Sequence, residues 1–537
     1  MFDPREIGTK LGDLGFQLRV LGETGMLGPS RPDRTIRSLI TMAKAGATPA
    51  AAIRIASIKY SERTFIVDEL GSLSFGEVHR RSNALARGLA GLGIGEGDGV
   101  GIMCRNHRGF VETTLALSKL GATGLFLNTM FSGPQLADVI EREGAKAVVC
   151  DGEFESLLEG VPESVGRVVA FGGEGSDGPT LESLIASGDP GDLDWPEGES
   201  RFIILTSGTT GAPKGAQRSA TNRLSGIAGL FSRIPHREGQ VVVMASPLFH
   251  SWGLVNMIMS VSLGATLILD RRFDPAVTMR RIDQYSADVL VAVPVMLQRI
   301  LDLPLDVSAD FRADNLKIVT LSGSALPGGQ ATAWMDRYGD NIYNLYGSTE
   351  VAFATIATPE DLRSDPATCG RPPRGTSIRL LDELGEEVAS GETGRVFVNN
   401  GMTFEGYTGG GNKEIRDGYV SSGDVGHFDD RGLFFVDGRD DEMIVSGGEN
   451  VFPAEVEDLI ASHSEVVETA VIGVDDESFG QVLWAYVVLR EPGALSEQDV
   501  TEFVKSNLAA FKTPKKVEFM LELPRNATGK ILKRALS

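Results

Sequence analysis

Cysteine is scarce in this chain: Cys104, Cys150 and Cys369 are three among 537 residues, far apart and never in a Cys-x-x-Cys spacing. That composition supports neither a disulfide framework nor a cysteine-ligated zinc site. Basic residues are also in the minority, 51 against 73 acidic ones, for a net charge of -22. Such a balance argues against nucleic-acid binding as the main business, while leaving room for a locally positive anion site. Long apolar runs are absent too. The longest stretch, Trp252 to Leu269, is broken by Asn256, Ser260, Ser262 and Gly264 and reads as a buried strand–helix region rather than a membrane span. No charged-then-apolar-then-small pattern of a secretory signal opens the sequence, so the expected placement is cytoplasmic.

What is present is an ordinary globular mixture, 42% apolar and 23% charged. The length exceeds what one core serves, so two or more domains are expected. From Leu73 to Leu269, strand-like runs such as Val100–Met103, Thr123–Leu127, Ala147–Val149 and Val241–Met244 alternate with helix-like segments. That alternation predicts an α/β body with largely parallel sheets flanked by helices. Glycine-rich, charged turns from Gly370 to Gly432 predict a smaller β-rich lobe. A boundary is expected near Gly438-Arg-Asp-Asp441, followed by a small, mobile α+β domain with helices from Pro453 and Ser496 and strands at Val466–Val474 and Val482–Leu489. The expected organisation is an N-terminal helical extension (1–60), a main domain (61–438), a short hinge (439–441) and a C-terminal domain (442–537). Residues 1–60 stand apart by charge, nine basic against five acidic. Within them Ile36, Leu39, Ile40 and Ala43 recur at helical spacing beside Arg37 and Lys44. A helix packed on the main body is the first reading of that pattern; peripheral contact with a membrane surface is the second.

The most informative segment is Thr206-Ser-Gly-Thr-Thr-Gly-Ala-Pro-Lys-Gly215, which leaves the apolar run Phe202–Leu205. Glycines let backbone N–H groups approach an anion, while hydroxyls and a lysine add donors, so the segment is suited to phosphate. It is not the common P-loop, because Pro213 stands where that motif has its second glycine. Further segments of interest are Pro247-Leu-Phe-His-Ser-Trp-Gly-Leu254, Leu321-Ser-Gly-Ser-Ala-Leu-Pro327, Asn344-Leu-Tyr-Gly-Ser-Thr-Glu350, Tyr419-Val-Ser-Ser-Gly-Asp-Val-Gly426, Gly438-Arg439, Ser446-Gly-Gly-Glu449 and Pro524-Arg-Asn-Ala-Thr-Gly-Lys-Ile531.

In wording and order these segments resemble the adenylate-forming (AMP-binding) superfamily of acyl-CoA synthetases, aryl-CoA ligases, luciferases and adenylation domains, over roughly residues 60–537. The resemblance implies ATP, Mg2+ and CoA as reactants. It places Thr206, Ser207, Gly208, Thr209, Thr210, Gly211 and Lys214 around the phosphates, with Thr206 and Glu350 as metal ligands. It places Gly323, Ser324, Ala325, Asn344, Tyr346 and Gly347 around adenine, with Tyr346 as the stacking face. Thr349 faces the α-phosphate, Asp424 and Arg439 the ribose, and Gly448 the pantetheine. Asp441 falls on the hinge, and Lys530 on the catalytic lysine that stabilises charge as two anions join. His250 falls at the carboxylate mouth, where amino-acid-activating relatives carry Asp instead. The apolar residues from Val255 to Leu263 read equally as an acyl pocket or as plain core. The expected activity is an ATP-dependent acyl-CoA synthetase of the long-chain type, for a medium to long fatty acid. An aryl-CoA ligase and a ligase loading a carrier protein are the alternatives.

Overall fold

β-Branched runs build the sheets and amphipathic segments cover them. The computed structural model describes residues 4–28, 31–173, 178–198, 200–207, 213–217, 223–404, 406–408, 410–440, 444–446, 449–476, 480–525 and 530–536. An eight-stranded sheet runs in the order Thr355–Ala357, Ile342–Tyr346, Ile318–Leu321, Val289–Ala292, Val241–Met244, Thr266–Leu269, Thr64–Asp68, Gly71–Ser74. Its six inner strands are parallel, and both edge strands are antiparallel to their neighbours. A seven-stranded sheet runs Gly406–Tyr407, Pro213–Gln217, Phe202–Ser207, Thr123–Phe126, Gly99–Met103, Ala145–Asp151, Gly166–Phe171. Its last five strands are parallel.

One core serves both sheets. It holds Ile66, Val242 and Val291 from the first, Val100, Phe126 and Val149 from the second, and Trp252, Met257 and Val261 from the helix Ser251–Ser262. The expected β-rich lobe is a five-stranded sheet containing Ser377–Leu381, Gly394–Asn399, Tyr419–Phe428 and Phe434–Arg439. The small C-terminal domain has its own five-stranded sheet, in which Val466–Asp476 pairs with Gly480–Leu489, and its own core around Val471, Leu483 and Val504.

The N-terminal extension is helical, and much of it belongs to the main body. Helix Pro4–Glu23 packs on Arg223–Arg233. Helix Pro49–Tyr60, started by a Thr48 cap, buries Ile53 and Ala56 in the shared core against Ser251–Ser262. Helix Pro32–Ala45 packs on Pro49–Tyr60 with its apolar stripe turned outward. No described helix is long and apolar enough to cross a membrane.

Candidate active site

Four neighbouring parallel strands, Val241–Met244, Val289–Ala292, Ile318–Leu321 and Ile342–Tyr346, end along one edge of the large sheet. The carboxyl edge of parallel strands is where open α/β sheets bind ligands. Buried polar atoms without a partner among the described residues gather on or just beyond these strands: Ser246 Oγ, Thr320 Oγ1, Asn344 Oδ1 and His250 Nε2. Folded proteins rarely leave such atoms unsatisfied, so a run of them marks a place where a ligand or water completes the bonding.

His250 stands at the residue before helix Ser251–Ser262 without bonding that helix's free N–H groups, its ring 4.3 Å from that of Phe249. Burial alone pushes its imidazole down to about 4, so it is neutral at ordinary pH. The loop that delivers it is tied from below by Asn106. That side chain donates to the carbonyls of Met244 (3.2 Å) and Ser246 (2.9 Å) and accepts from the Leu248 N–H (2.8 Å). Trp252 is locked by its indole N–H on the Ala292 carbonyl at 3.2 Å.

Tyr346 and Asp424, far apart in sequence, meet directly. The Tyr346 hydroxyl donates to Asp424 Oδ2 at 2.6 Å and lies 3.2 Å from Ser422 Oγ. One face of its ring is stacked on Phe434, centroids 5.5 Å apart. Burial raises the Asp424 carboxyl; Tyr346, Arg439, Ser422 and the charge of Lys530 pull it back. Arg439 Nη1 stands 3.5 Å from Asp424 Oδ1 across paired strands. Lys530 is exposed, and its charge is the smallest of the influences that lower the Asp424 carboxyl.

Glu350 is buried, and its Oε1 accepts the Tyr407 hydroxyl at 2.8 Å. Its backbone carbonyl accepts from the Phe404 N–H at 2.7 Å. Tyr407 belongs to the two-residue strand Gly406–Tyr407, which pairs with Ala216 and Gln217 on strand Pro213–Gln217. A buried carboxylate with one oxygen oriented by a neutral hydroxyl fits a hard cation such as Mg2+. Gly347 has no substitute: a Cβ there would run into the Ala352 carbonyl and stand 2.8 Å from Phe353 Cα. Ala352 itself adopts a left-handed φ of 61°, a strained conformation for alanine next to the Glu350 turn. Thr349 lies half-buried in that turn.

The remaining expectations are placed as follows. Thr206 and Ser207 end strand Phe202–Ser207, and Lys214 opens its antiparallel partner, with Thr206 opposite Lys214 and Ser207 opposite Pro213. Gly323, at φ 96°, Ser324 and Ala325 form the turn that ends strand Ile318–Leu321. Gly208, Thr209, Thr210, Gly211, Asp441 and Gly448 lie outside the described residues. The sequence reading did not pick out Tyr407 or Asn106; each acts through a partner remote in the chain, and only the Gly-Tyr pair in a glycine-rich turn was a local sign. A buried group of Cys104, His107 and Asp151 has metal-ligand chemistry. Both His107 nitrogens are already engaged, Nε2 with Asp151 (2.7 Å) and Nδ1 with the Gly109 N–H (3.0 Å), so it caps the helix Arg108–Leu120 instead.

The AMP-binding enzyme profile matches residues 54–408, and the profile of the AMP-binding enzyme C-terminal domain matches residues 455–530. The chain is 31% identical over 467 residues to a feruloyl-CoA synthase of Amycolatopsis sp, covering 86% of this chain and 93% of the relative. It is 32% identical over 480 residues to a 2-succinylbenzoate–CoA ligase of Geobacillus kaustophilus, covering 88% and 94%. The fold superposes on o-succinylbenzoate CoA synthetase from Bacillus subtilis, solved with its acyl-adenylate intermediate, with a TM-score of 0.77 at 26% identity over 90% of this chain and 97% of that one. With both profiles matched, this chain belongs to the AMP-binding enzyme family, the adenylate-forming superfamily that contains these CoA ligases.

Proposed function

We propose that this protein is an acid–CoA ligase that activates an aromatic carboxylic acid as its acyl-adenylate and then transfers the acyl group to CoA. The observation that carries the aromatic choice is the fate of helix Ser251–Ser262. Its large apolar residues, Trp252, Leu254, Met257, Met259 and Val261, are all packed into the shared core. They are taken up by the fold; Val255 and Ile258 alone among the helix's large apolar residues stay partly exposed, too short an apolar row to line a channel for a long alkyl chain. The sequence reading put a fatty acid first and an aryl acid second; this packing and the aromatic acids in the relatives' names reverse that order.

In the first half-reaction a carboxylate oxygen of the acid attacks the α-phosphorus of ATP, and the bond to the β-phosphate oxygen breaks, giving acyl-adenylate and pyrophosphate. His250, uncharged, borders the acid without adding a competing charge. Asp424 and Arg439 hold the ribose, and Asn344 Oδ1 offers adenine an acceptor. Tyr346 contributes less as a stacking face than as the donor that fixes Asp424. Thr206, Ser207 and Lys214, with the loop between them, hold the phosphates; Thr349 faces the α-phosphate. Glu350 with Thr206 would hold Mg2+, which when bound neutralises phosphate charge. Lys530 offsets the repulsion between the two anions as they join. In the second half-reaction the CoA thiol attacks the acyl carbonyl and AMP leaves, after rotation of residues 442–537 about Asp441 has removed Lys530 and brought up Gly448.

The test is AMP release with Mg·ATP and CoA across benzoate, cinnamate, ferulate and saturated fatty acids of rising length. A maximum among the aromatic acids is expected. A maximum on a fatty acid would restore the alkyl reading, and acyl-adenylate formation without thioester would point to a carrier protein as acceptor.

A further inference from the structure

Helix Pro32–Ala45 is built inside out. Arg34, Ser38, Thr41 and Ala45, spaced i, i+4, i+7 and i+11, form the stripe that faces the body. This inward stripe is polar or small: Thr41 is 5% exposed, Ser38 Oγ is buried without a partner, and Arg34 donates to the Lys59 carbonyl at 3.0 Å. The apolar stripe faces solvent, with Ile36 57%, Leu39 64%, Ile40 50% and Met42 41% exposed. A helix that meets its own protein through polar residues and shows water its leucine and isoleucines has its apolar face reserved for something else.

Charge indicates what that is. Residues 31–45 carry Arg31, Arg34, Arg37 and Lys44 against Asp33 alone, four basic less one acidic, +3, on a chain whose total is -22. Arg31, Arg37 and Lys44 are all exposed beside the apolar stripe. The turn before the helix adds Leu27, 54% exposed. It is pinned to the same anchor: Lys59 Nζ donates to the Met26 carbonyl at 3.0 Å, while the Lys59 carbonyl holds Arg34. An exposed apolar stripe edged by cations is the make-up of a helix that lies in the plane of a lipid interface. A second copy of this chain is the poorer occupant, because a two-fold contact would set the basic helix against itself.

The geometry points to helix Pro32–Ala45 as a docking surface for an anionic lipid membrane. The apolar stripe enters the headgroup boundary, Arg37 and Lys44 meet the lipid charges, and the polar stripe stays on the protein. The activity proposed above is not needed for this.

The experiment is flotation of the full chain with vesicles of phosphatidylcholine containing phosphatidylglycerol, against vesicles of phosphatidylcholine alone, at low and high salt. The protein is expected to float with the anionic vesicles at low salt and to be released by high salt. Leu39→Ser with Ile40→Ser is expected to weaken partitioning about tenfold or more, since it removes two exposed apolar side chains. Arg37→Glu with Lys44→Glu is expected to abolish the preference for phosphatidylglycerol. Because all four side chains are exposed, pyrophosphate exchange by these variants should match the parent, which verifies their folding. Failure of the parent chain to float at low salt would overturn the proposal. So would flotation unaffected by the Leu39→Ser, Ile40→Ser pair, or a sedimenting dimer that this pair converts to monomer.

Discussion

Removing the Tyr407 hydroxyl tests whether Glu350 is a metal ligand held in place by a neighbour. Tyr407→Phe deletes one donor 2.8 Å from Glu350 Oε1 and keeps the ring, whose edge-on contact with Phe404 spans 4.9 Å between centroids. Strand pairing with Ala216 is a backbone matter and survives. Burial and the neighbouring Glu350 charge raise the Tyr407 phenol, so it is a donor at any working pH. A hydrogen bond to a charged group contributes about 1.5–3 kcal/mol. Water can replace part of it at this half-buried tyrosine, leaving a net loss near 1.4 kcal/mol, or about tenfold. The assay is pyrophosphate exchange at fixed ATP with Mg2+ titrated, beside Mn2+ binding followed by electron paramagnetic resonance in the presence of a non-hydrolysable ATP analogue. Half-saturating Mg2+ should rise about tenfold and Mn2+ affinity fall in step, while exchange recovers at high Mg2+. An unchanged metal dependence, or tighter Mn2+ binding, would refute the idea that Tyr407 orients Glu350 toward a cation.

Lys530→Ala should lower adenylate formation by roughly 100-fold or more, as expected for loss of a group aimed at developing charge, while thioester formation from supplied acyl-adenylate survives. Equal loss in both half-reactions would contradict the two-conformation reading. His79, His236 and His250 are each pushed down to about 4, with burial as the largest cause. In the unfolded chain they take up a proton near 6.5, so as pH falls from 6.5 toward 4 the unfolded state binds more protons and stability is lost. The loss is on the order of 1 kcal/mol per histidine at pH 5.5, read as a falling thermal midpoint; a midpoint flat between pH 7 and 5 would be inconsistent with three neutral buried imidazoles. Gly347→Ala drives a methyl into the Ala352 carbonyl, so it should cost on the order of 1–3 kcal/mol of stability or displace Glu350 and reduce exchange; parent-like values for both would show that the turn has slack.

The sheets were legible because their strands are short β-branched runs between turn residues, and a parallel sheet buried on both faces demands such runs. Val241–Met244 emerged as a strand with the bounds of its apolar run. Helix Ser251–Ser262 was ambiguous because it is apolar nearly all round, and only packing decides between core and pocket. Tyr346 was picked out on its motif, but its hydroxyl bond to Asp424 joins residues 78 positions apart, a contact no local pattern encodes. Tyr407 was missed for the same reason. In helix Pro32–Ala45 the spacing identified which residues share a face. It could not say which face meets the protein, since periodicity carries phase but no sense of inside and outside.

The order in which this chain leaves the ribosome puts a delay into the packing of its first helices. Helix Pro49–Tyr60 meets Phe75–Gly91 early, but its other face waits for Ser251–Ser262, and Pro4–Glu23 waits for Arg223–Arg233. About 200 residues separate each pair, which at about 5–20 residues per second is roughly 10–40 s of synthesis. For that interval Ile53 and Val20 have no finished core to enter, and the solvent-facing stripe of Ile36, Leu39 and Ile40 has none at any stage. Helices Pro4–Glu23, Pro32–Ala45 and Pro49–Tyr60 therefore spend that part of synthesis with apolar surface uncovered, which a chaperone or an early surface to rest on would shield.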